Sequence, residues 1–459
     1  MTAKKHFLLL LAAAFWLHAA APAANPLETE AEYRRMLDFC RSTECPELPA
    51  LLNNFGGFYF SQARYGEAEP LLKEAVSLNK GEEAAFSLNN LASLYRVTGR
   101  IAEAAPLFDR ALQMLEEMNP KSVELPRVLT GAAMLALDPR ANMQDALLGE
   151  ARCRRALALL EAGSAEAALA HSTLGAILET QGAFQEAQQE LESALATREA
   201  LFGPNHALVA ETLIKLGLVY RQQGHLAKAE ALYQRGITIL RSHPAAIDLG
   251  TALNNLGNLL AARGRLPEAE AALHEAIEVW EKLLGPEHTN IAAALSNLST
   301  LARTRHRYAE AERLLARALE MDQKLLPAGN VRIGFDLNNA GTLLAARKRY
   351  GDAEGVLRES LAILRSKLPA DHPEIGRVSV NLGEVLRLER KTEEAQERYR
   401  EGLEILTRAW GPDDVRLLAW LGPYAGVSRA REDYVAAAKA DMQAMRIRVK
   451  KTVAPSAFE

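Results

Sequence analysis

The chain has 459 residues, and its 54 basic and 58 acidic residues leave a formal net charge of −4. Such a near balance argues against a nucleic-acid-binding surface, which requires a basic excess. Aromatic residues make up only 6% of the chain, whereas alanine and leucine are abundant, as in helical proteins. A chain of this length ordinarily has two or three domains, unless an internal repeat builds it along one axis.

The first residues have the features of an export signal. Lys4 and Lys5 precede the apolar run Phe7–Leu17, and Ala21–Ala23 follows with the small-residue pattern of a cleavage site. The run is shorter than the roughly 20 residues that span a membrane. We therefore expect a signal peptide over residues 1–24 and an exported protein, periplasmic or secreted. The alternative is an uncleaved signal that anchors the chain to a membrane.

Two cysteines stand close together in the next segment, residues 25–50. Cys40 and Cys45 are separated by four residues, and in an exported protein this spacing suggests a local disulfide before the first repeat. A metal-binding pair is the alternative, but two further ligands at a suitable spacing are lacking. Cys153 is left over, and we expect it to be a buried, inert thiol.

The stretch from Ala252 to Leu283 shows the unit from which the chain is built. Its first half places leucines and Gly257 on one face at three- and four-residue spacing, which predicts an amphipathic helix. Gly264 ends that helix. The second half has a similar apolar face, in which Ala269 and Ala276 are small enough to let the two helices approach closely. A single hairpin of this kind cannot bury both apolar faces and needs neighbours.

The same pattern recurs along nearly the whole chain. In nine of the repeats the first helix carries a small residue, which we call the marker; an alanine stands twelve residues after it, and a further small residue seven after that. The markers are Gly56, Ala92, Gly175, Gly217, Gly257, Ser299, Gly341, Gly383 and Ala425. From Gly175 onward the period is mostly 42 residues, with one of 40. This regularity predicts a solenoid of stacked helical hairpins.

The order of residues within the repeat resembles the tetratricopeptide repeat. The second repeat carries the family pattern in Leu88–Tyr95, Gly99, Ala104, Phe108 and Ala111. The 42-residue period, the Leu-Asn-Asn-Leu openings and the Gly-Pro-x-His links are similar to the kinesin-light-chain-like branch of that family. The resemblance implies an all-α fold, a right-handed α-solenoid of about ten helical hairpins.

The resemblance covers residues 51–448 and gives the expected domain boundaries. Repeats 1–3 occupy residues 51–162, repeats 4–10 occupy residues 163–448, and a tail of residues 449–459 follows. The third repeat is degenerate, because residues 138–142 add length between its helices. That insertion is either a tolerated loop or a hinge between the first two repeats and the later array.

The last repeat is atypical. Asp441 replaces the leucine, phenylalanine or tyrosine that the other repeats have at that position of the second helix. The terminal repeat of a solenoid has no further neighbour and needs a polar outer face. We therefore expect this repeat to act as a polar cap.

Three histidines in the links between repeats invite a metal-binding interpretation. His206, His288 and His372 lie at least one repeat apart, and stacked helices are roughly 8–10 Å apart. Zinc ligands lie only about 2 Å from the ion, so these side chains cannot meet at one metal. We expect them to cap helices and shape turns, and we predict no metal and no cofactor.

A row of asparagines is the strongest candidate for a binding site. Asparagine is a mediocre helix former, yet it recurs two residues before the marker. The row consists of Asn54, Asn90, Asn255, Asn297, Asn339 and Asn381, with Thr173, Lys215 and Pro423 at the same position in other repeats. The resemblance implies that this face lines a concave groove in which extended peptides lie, and an amide suits a peptide backbone because it both donates and accepts. Alternatively, the amides bond across neighbouring helices and order the stack.

A second row stands four residues after the marker. It consists of Arg96, Arg221, Arg303, Arg387 and Arg429. If these side chains border the groove, acidic peptides or chain-terminal carboxylates are suitable ligands. Arginine is also favoured near the C-terminus of a helix without any ligand, and both interpretations stay open at this point.

The repeat is not accompanied by a catalytic motif. The sequence has no Gly-x-Ser-x-Gly, no His-Glu-x-x-His, no phosphate loop and no dinucleotide glycine pattern. We predict a non-catalytic scaffold that binds a peptide or protein segment, and neither nucleic acid nor a small-molecule substrate. The alternative is a structural or assembly protein of an envelope complex that acts by self-association or end-to-end contacts.

Overall fold

The computed structural model describes residues 26–43, 45–62, 64–138, 141–243 and 247–453. The predicted signal peptide lies outside the described residues, as do Pro139 and Arg140 of the predicted insertion and the last six residues of the predicted tail. Within the ranges that are described, no helix combines the length and the apolar character that a membrane span requires.

The described part of the chain is all-α, with 21 α-helices and no strand. In chain order the helices are α1 (Pro26–Ser42), α2 (Leu48–Ser61), α3 (Tyr65–Leu78), α4 (Gly81–Val97), α5 (Ile101–Met118), α6 (Leu125–Ala133), α7 (Met143–Leu159), α8 (Ala165–Thr180), α9 (Phe184–Phe202), α10 (Ala207–Gln222), α11 (Leu226–Leu240), α12 (Ile247–Ala262), α13 (Leu266–Leu284), α14 (Thr289–Thr304), α15 (Tyr308–Leu325), α16 (Val331–Ala346), α17 (Tyr350–Lys367), α18 (Pro373–Leu388), α19 (Thr392–Trp410), α20 (Leu418–Ala430) and α21 (Tyr434–Val453). Short 3₁₀ turns at Met134–Leu137 and Val415–Leu417 follow α6 and precede α20.

After α1, the helices follow one another as ten hairpins, from α2–α3 to α20–α21. All nine markers lie on first helices, and the alanines twelve residues later all lie on second helices. Each of these alanines is at most 2% exposed, because it sits where the two helices of a hairpin approach most closely. The all-α solenoid predicted from the repeat is confirmed.

Close packing within a hairpin explains why the marker is small. A Cβ atom added at Gly217 would lie 2.7 Å from the ring of Tyr233, and one added at Gly341 would lie 2.5 Å from Leu357. Tyr233 and Leu357 are fully buried, so they have little room to move. A larger marker would therefore overpack the hairpin, at a cost of roughly 1–3 kcal/mol.

The three link histidines cap first helices, as predicted. The Nδ1 atoms of His206, His288 and His372 each accept a hydrogen bond from the backbone N–H two residues later, at 3.2, 3.1 and 3.2 Å. This bond satisfies one of the free N–H groups at the start of a helix. Burial lowers the pKa of each imidazole, which favours the neutral form that can accept the bond.

The chain divides into two compact units. Unit 1 consists of Met1–Asp138, Leu147–Leu174 and Ala200–Phe202, and unit 2 consists of Pro139–Ala146, Gly175–Glu199 and Gly203–Glu459.

Unit 1 is organised around an aromatic cluster in which α1 packs on α2. Tyr33 stacks on Phe55 with ring centroids 5.1 Å apart, and Phe55 stacks on Tyr59 at 4.5 Å. Cys40 at the end of α1 and Cys45 before α2 form a disulfide with an S–S distance of 2.03 Å. The first repeat therefore has a neighbouring helix on its outer side, although that helix is not part of a hairpin. Such a cover removes apolar surface from water.

In unit 2 the last helix differs from the predicted polar cap. Asp441 does point outward and pairs with Arg429 at 2.6 Å. However, Val435, Met442 and Met445 of the same helix are 67%, 69% and 66% exposed. The predicted polar cap is therefore wrong, because one aspartate at the edge of the outer face does not offset the apolar residues along its middle.

Candidate functional site

Three positions on the first helices follow one ridge, and in several repeats the residues at these positions are polar. They lie two residues before the marker, one after it and four after it, and residues at three-residue spacing follow one ridge of a helix. In α14 they are Asn297, Thr300 and Arg303, all half-buried. We call the positions two residues before the markers the ladder row. We call the positions four residues after the markers the arginine row.

The ladder row makes hydrogen bonds between neighbouring repeats. Nδ2 of Asn297 donates to Oδ1 of Asn254, at 2.8 Å. The same bond joins Asn90 to Asn53 at 3.0 Å, Asn339 to Oγ of Ser296 at 2.9 Å, and Asn381 to Asn338 at 3.0 Å. Every acceptor stands three residues before the marker of the preceding repeat. These bonds help to hold consecutive first helices together.

Asn255 departs from this arrangement. The residue at the acceptor position of the preceding repeat is Ile214, which cannot accept a hydrogen bond. Within the described residues, the Asn255 amide forms no hydrogen bond and is half-buried. Its donor and acceptor atoms are therefore both available to a ligand.

The other predicted members of the row are engaged within the chain. Lys215 pairs with Glu211 at 2.5 Å, and Glu211 also pairs with Arg198 at 3.1 Å. Although burial alone raises the pKa of Glu211, the two cations outweigh it and hold this pKa at about 2. Asn54 lies half-buried on α2 and is also engaged within the chain.

The ladder leads into a buried acidic pair. Ser296, which accepts the bond from Asn339, lies near the carboxyl group of Asp336, and that group lies near Asp322. Asp336 and Asp322 are 4% and 1% exposed, and of the two only Asp322 forms an ion pair with a described residue, Arg332 at 3.1 Å. Burial, reinforced by Asp322, raises the pKa of Asp336 from 3.8 to about 7.

Arg303 in the arginine row lacks a counter-charge. Within the described part of the chain it forms neither a hydrogen bond nor an ion pair. The flanking first helices carry Ala261 and Ala345 at the same position, so this position supplies no carboxylate to Arg303 from either neighbour. Burial lowers the pKa of Arg303, because a cation removed from water without a partner is disfavoured.

Arg96 in unit 1 is similar. Burial lowers its pKa, and its Nε atom is buried without a hydrogen-bond partner. By contrast, Arg387 pairs with Glu384 at 2.6 Å and Arg429 pairs with Asp441 at 2.6 Å. The arginines of the row therefore include both partnered and unpartnered cations, although the sequence shows the same residue type for all of them.

Adjacent hairpins are held differently on their two sides. First helices are joined by short amide bonds, such as that from Asn381 to Asn338. Second helices are joined by long side chains, such as Arg241 to Glu275 at 3.0 Å and Arg317 to Glu281 at 3.6 Å. Short side chains span less distance than arginine and glutamate, so neighbouring hairpins of unit 2 lie closer together on the side of the first helices.

A further contact in unit 2 joins hairpins that are five repeats apart along the chain. Arg416, before α20, donates to the backbone carbonyl of Gln222 in α10, at 3.0 Å. One repeat earlier, the His372 ring lies near the backbone of Thr180 at the end of α8, and Pro373 approaches Gly182. We call this contact the seam.

Arg221 of the arginine row lies beside the seam. It interacts electrostatically with Glu179, a group whose pKa is raised by burial. The Nε atom of Arg221 is buried without a hydrogen-bond partner, as are Nε2 of Gln181 and Oε1 of Gln223. The seam is therefore polar and incompletely hydrogen-bonded within the described residues.

One regular feature was missed in the sequence although it left a signal. A basic residue eight after the marker pairs with an acidic residue thirteen after the preceding marker. The pairs are Arg100 with Glu69 at 2.8 Å, Arg265 with Glu230 at 2.6 Å, Arg307 with Glu270 at 2.8 Å, and Lys391 with Glu354. The recurrence of both charges at fixed positions would have revealed these links between repeats.

Among the described residues, no three His, Cys, Asp or Glu side chains are grouped so that they could hold a metal ion. The candidate site therefore consists of the ridge residues, chiefly Asn255 and Arg303. What the ridge offers chemically is amide hydrogen bonding beside a cation that has no partner of its own.

Comparison with solved structures finds related folds. A Rap protein complexed with competence and sporulation factor is 14% identical, with a TM-score of 0.59, covering 79% of this chain and 99% of that one. The apo form of RapI is 12% identical, with a TM-score of 0.52, covering 78% and 97%. BtubC (BKLC) from P. vanneervenii is 20% identical over 50% of this chain and 91% of that one, with a TM-score of 0.37. At these identities the likeness shows the fold alone.

No curated protein matches the sequence. A profile described as tetratricopeptide repeat does match, over residues 47–117, 166–242, 248–324 and 336–408. These ranges cover more than half of the chain and contain eight of the nine markers. Together with the ten hairpins, they show that the chain belongs to the tetratricopeptide repeat family.

Proposed function

We propose that the chain is a non-catalytic scaffold that binds an extended, acidic peptide segment along the ridge of the first helices. The family consists of interaction repeats that serve many partners, and the family that matches is not an enzyme family. The greater closeness of adjacent hairpins on the first-helix side of unit 2 supports a concave groove there. The kinesin-light-chain-like branch remains part of this proposal.

The unpartnered guanidinium of Arg303 carries the proposal. A half-buried cation without a counter-charge costs free energy in the free protein. A carboxylate of a ligand would supply the missing charge and accept two parallel hydrogen bonds. The alanines at the same position on the flanking helices, Ala261 and Ala345, leave room beside the guanidinium for such a group.

The ladder row offers fewer hydrogen-bonding groups to the same surface than a row of unbonded amides would, because some of its N–H groups are used within the stack. Asn297 and Asn339 use one N–H within the stack, and their Oδ1 atoms accept no hydrogen bond from the described residues. They can therefore accept bonds from backbone N–H groups of a peptide. Asn255 can both donate and accept, and we assign it the principal contact with the peptide backbone.

The test begins with peptides selected for binding. Random decapeptides displayed on phage are selected against the purified chain, and an enriched peptide is synthesised with a fluorescent label. We expect enrichment of aspartate, glutamate or a free C-terminus. By fluorescence anisotropy, Arg303→Glu should weaken binding roughly 10–100-fold, as expected for loss of a hydrogen-bonded charge pair.

The matched control is Arg313→Glu. Arg313 lies on α15 of the same hairpin and is exposed away from the ridge, so the change in net charge is identical. The affinity of the Arg313→Glu variant for the selected peptide should stay within about threefold of the wild-type value. If the enriched peptides are not acidic, or if both variants bind them equally, the ridge does not bind an acidic segment at Arg303.

We also propose that the protein is exported, into an oxidising compartment. The disulfide between Cys40 and Cys45 supports such a compartment, because disulfides persist outside the reducing cytosol. Mass spectrometry of the chain from fractionated cells should find it without residues 1–24 in the soluble exported fraction. An intact N-terminus in the membrane fraction would support the anchored alternative instead.

A further inference from the structure

The outer face of α21 carries an apolar stripe that no part of the described chain covers. Val435, Met442, Met445 and Val449 are 67%, 69%, 66% and 52% exposed. Together with Ala438, they follow one another at spacings of three, four, three and four residues. This is the seven-residue repeat of a coiled-coil interface, with valine or methionine at its a positions and alanine or methionine at its d positions.

The stripe lies opposite the packed face of the helix. Ala437, Ala440, Ala444 and Ile447 are at most 6% exposed and hold α21 against its neighbours. A helix that is apolar on two opposite faces is ordinarily buried on both.

Comparison with the other second helices shows that the stripe is not merely the site of a missing repeat. Position 445 is apolar in earlier repeats too, where the next hairpin covers it. Positions 442 and 449 differ. Where α21 has Met442, earlier repeats have Glu192, Gln234, His274, Ala316, Arg358 and Arg400. Where it has Val449, they have Glu199, Arg241, Glu281, Gln323, Arg365 and Thr407. The last helix is apolar even at positions that face water elsewhere.

We propose that this stripe is the interface of a homodimer, in which α21 packs in parallel against α21 of a second copy. A two-fold axis along the helices would place each stripe residue against its own copy, as the a and d positions of a parallel two-stranded coiled coil require. Valine at two of the three a positions favours that arrangement. The helices are already formed and held by their packed faces, so two heptads need not also bear the cost of helix formation.

The flanking charges select the second copy and the parallel direction. In a parallel pair the g position of one helix faces the next e position of the other. Asp441 of one copy then faces Arg446 of the other, twice, and Tyr434 faces Lys439. Within its own chain Asp441 also pairs with Arg429 and Arg446 with Asp413, so the contact between copies would extend these pairs. An antiparallel pair would instead place Lys439 against Arg446 of the second copy, where like charges repel.

Sedimentation equilibrium of the purified chain tests the interface. We expect a dimer whose dissociation constant rises at least about 100-fold in the double variant Met442→Lys, Met445→Lys, because two buried side chains become charged. Circular dichroism should show unchanged helicity, since both side chains are exposed in the single chain. The control is Met118→Lys on α5, where the side chain is 55% exposed and dimerisation should persist.

Cysteine cross-linking tests the direction of the helices. In a parallel dimer, Val435→Cys lies beside its own copy and should form an intermolecular disulfide under mild oxidation. In an antiparallel dimer, the two copies of residue 435 would lie roughly 20 Å or more apart along the helix and could not be joined. A chain that cross-links only when Val435→Cys is mixed with Val449→Cys would overturn the parallel arrangement.

Three other outcomes would overturn the proposal. The first is a chain that stays monomeric at about 100 μM. The second is a dimer that survives the double methionine variant. The third is a monomer that binds vesicles of phosphatidylglycerol and phosphatidylcholine through the stripe, which would identify a lipid surface as the occupant. None of these results depends on whether the ridge binds an acidic peptide.

Discussion

The ladder row and the arginine row lie on the same ridge of the first helices but differ in how they are satisfied. Asn297 and Asn381 give their amide protons to residues of the preceding repeat. Arg303, six residues after Asn297, has no partner among the described residues. A regular polar row therefore does not by itself indicate a binding site. The members whose partners are missing, Asn255 and Arg303, point to the ligand.

The largest expected effect comes from the acidic pair behind the ladder. Burial raises the pKa of Asp336 to about 7, above its value in the unfolded chain, so the native state binds more protons between about pH 4 and pH 7. Stability should therefore fall as the pH rises through this range. Asp336→Asn does not titrate, and its free energy of unfolding relative to wild type should increase by roughly 2–4 kcal/mol between pH 4 and pH 8.

Urea denaturation of both proteins at several pH values measures this difference. All other titrating groups, including the three capping histidines, are the same in both proteins. Their contributions therefore cancel in the difference between the two free energies of unfolding. If the free energies of unfolding of the two proteins change with pH in parallel, Asp336 is ionised in the native state. The acidic pair would then not belong to the polar network that includes Ser296.

The next effect distinguishes the structural members of the ladder from Asn255. Asn381→Ala removes the donor to Oδ1 of Asn338, which is 4% exposed, and should cost about 1–2 kcal/mol. Asn255→Ala removes no bond within the described chain and should change stability by less than about 0.5 kcal/mol. Thermal and urea unfolding measure both. Equal costs would mean that the cross-repeat bond contributes nothing.

The smallest effects concern the arginine row. Arg303→Met removes an unpartnered, half-buried charge, so stability should be unchanged or rise by up to about 1 kcal/mol. Arg387→Met breaks the pair with Glu384, yet that pair is about one-third exposed, so the loss should stay within about 0.5 kcal/mol. Urea denaturation of the two variants compares them. A clear loss of stability in Arg303→Met would reveal a structural role for that side chain.

The sequence was sufficient to predict the hairpins, because small residues at fixed spacing have a direct packing cause. The markers and the alanines after them occupy the tightest contacts, as Gly217 against Tyr233 illustrates. The capping histidines were predictable for the same reason, since a cap depends on residues nearby in the chain. Local causes leave local patterns.

The site was less predictable because its properties depend on neighbouring repeats. Asn255 and Asn297 are equivalent in sequence, and only the residue at the acceptor position one repeat earlier distinguishes them. The acidic pair of Asp322 and Asp336 joins a second helix to the next first helix without any recurring pattern. The polar cap expected from Asp441 failed because the exposed face of α21 also includes Met442 and Met445.

The seam has a consequence for how unit 2 unfolds. In most solenoids each repeat contacts only its neighbours, so structure can be lost gradually from an end. The bond from Arg416 to Gln222 joins residues 194 positions apart, and breaking it releases a long closed loop. We expect the hairpins between these residues to exchange their amide protons as one cooperative block, with gradual fraying limited to the hairpins outside it.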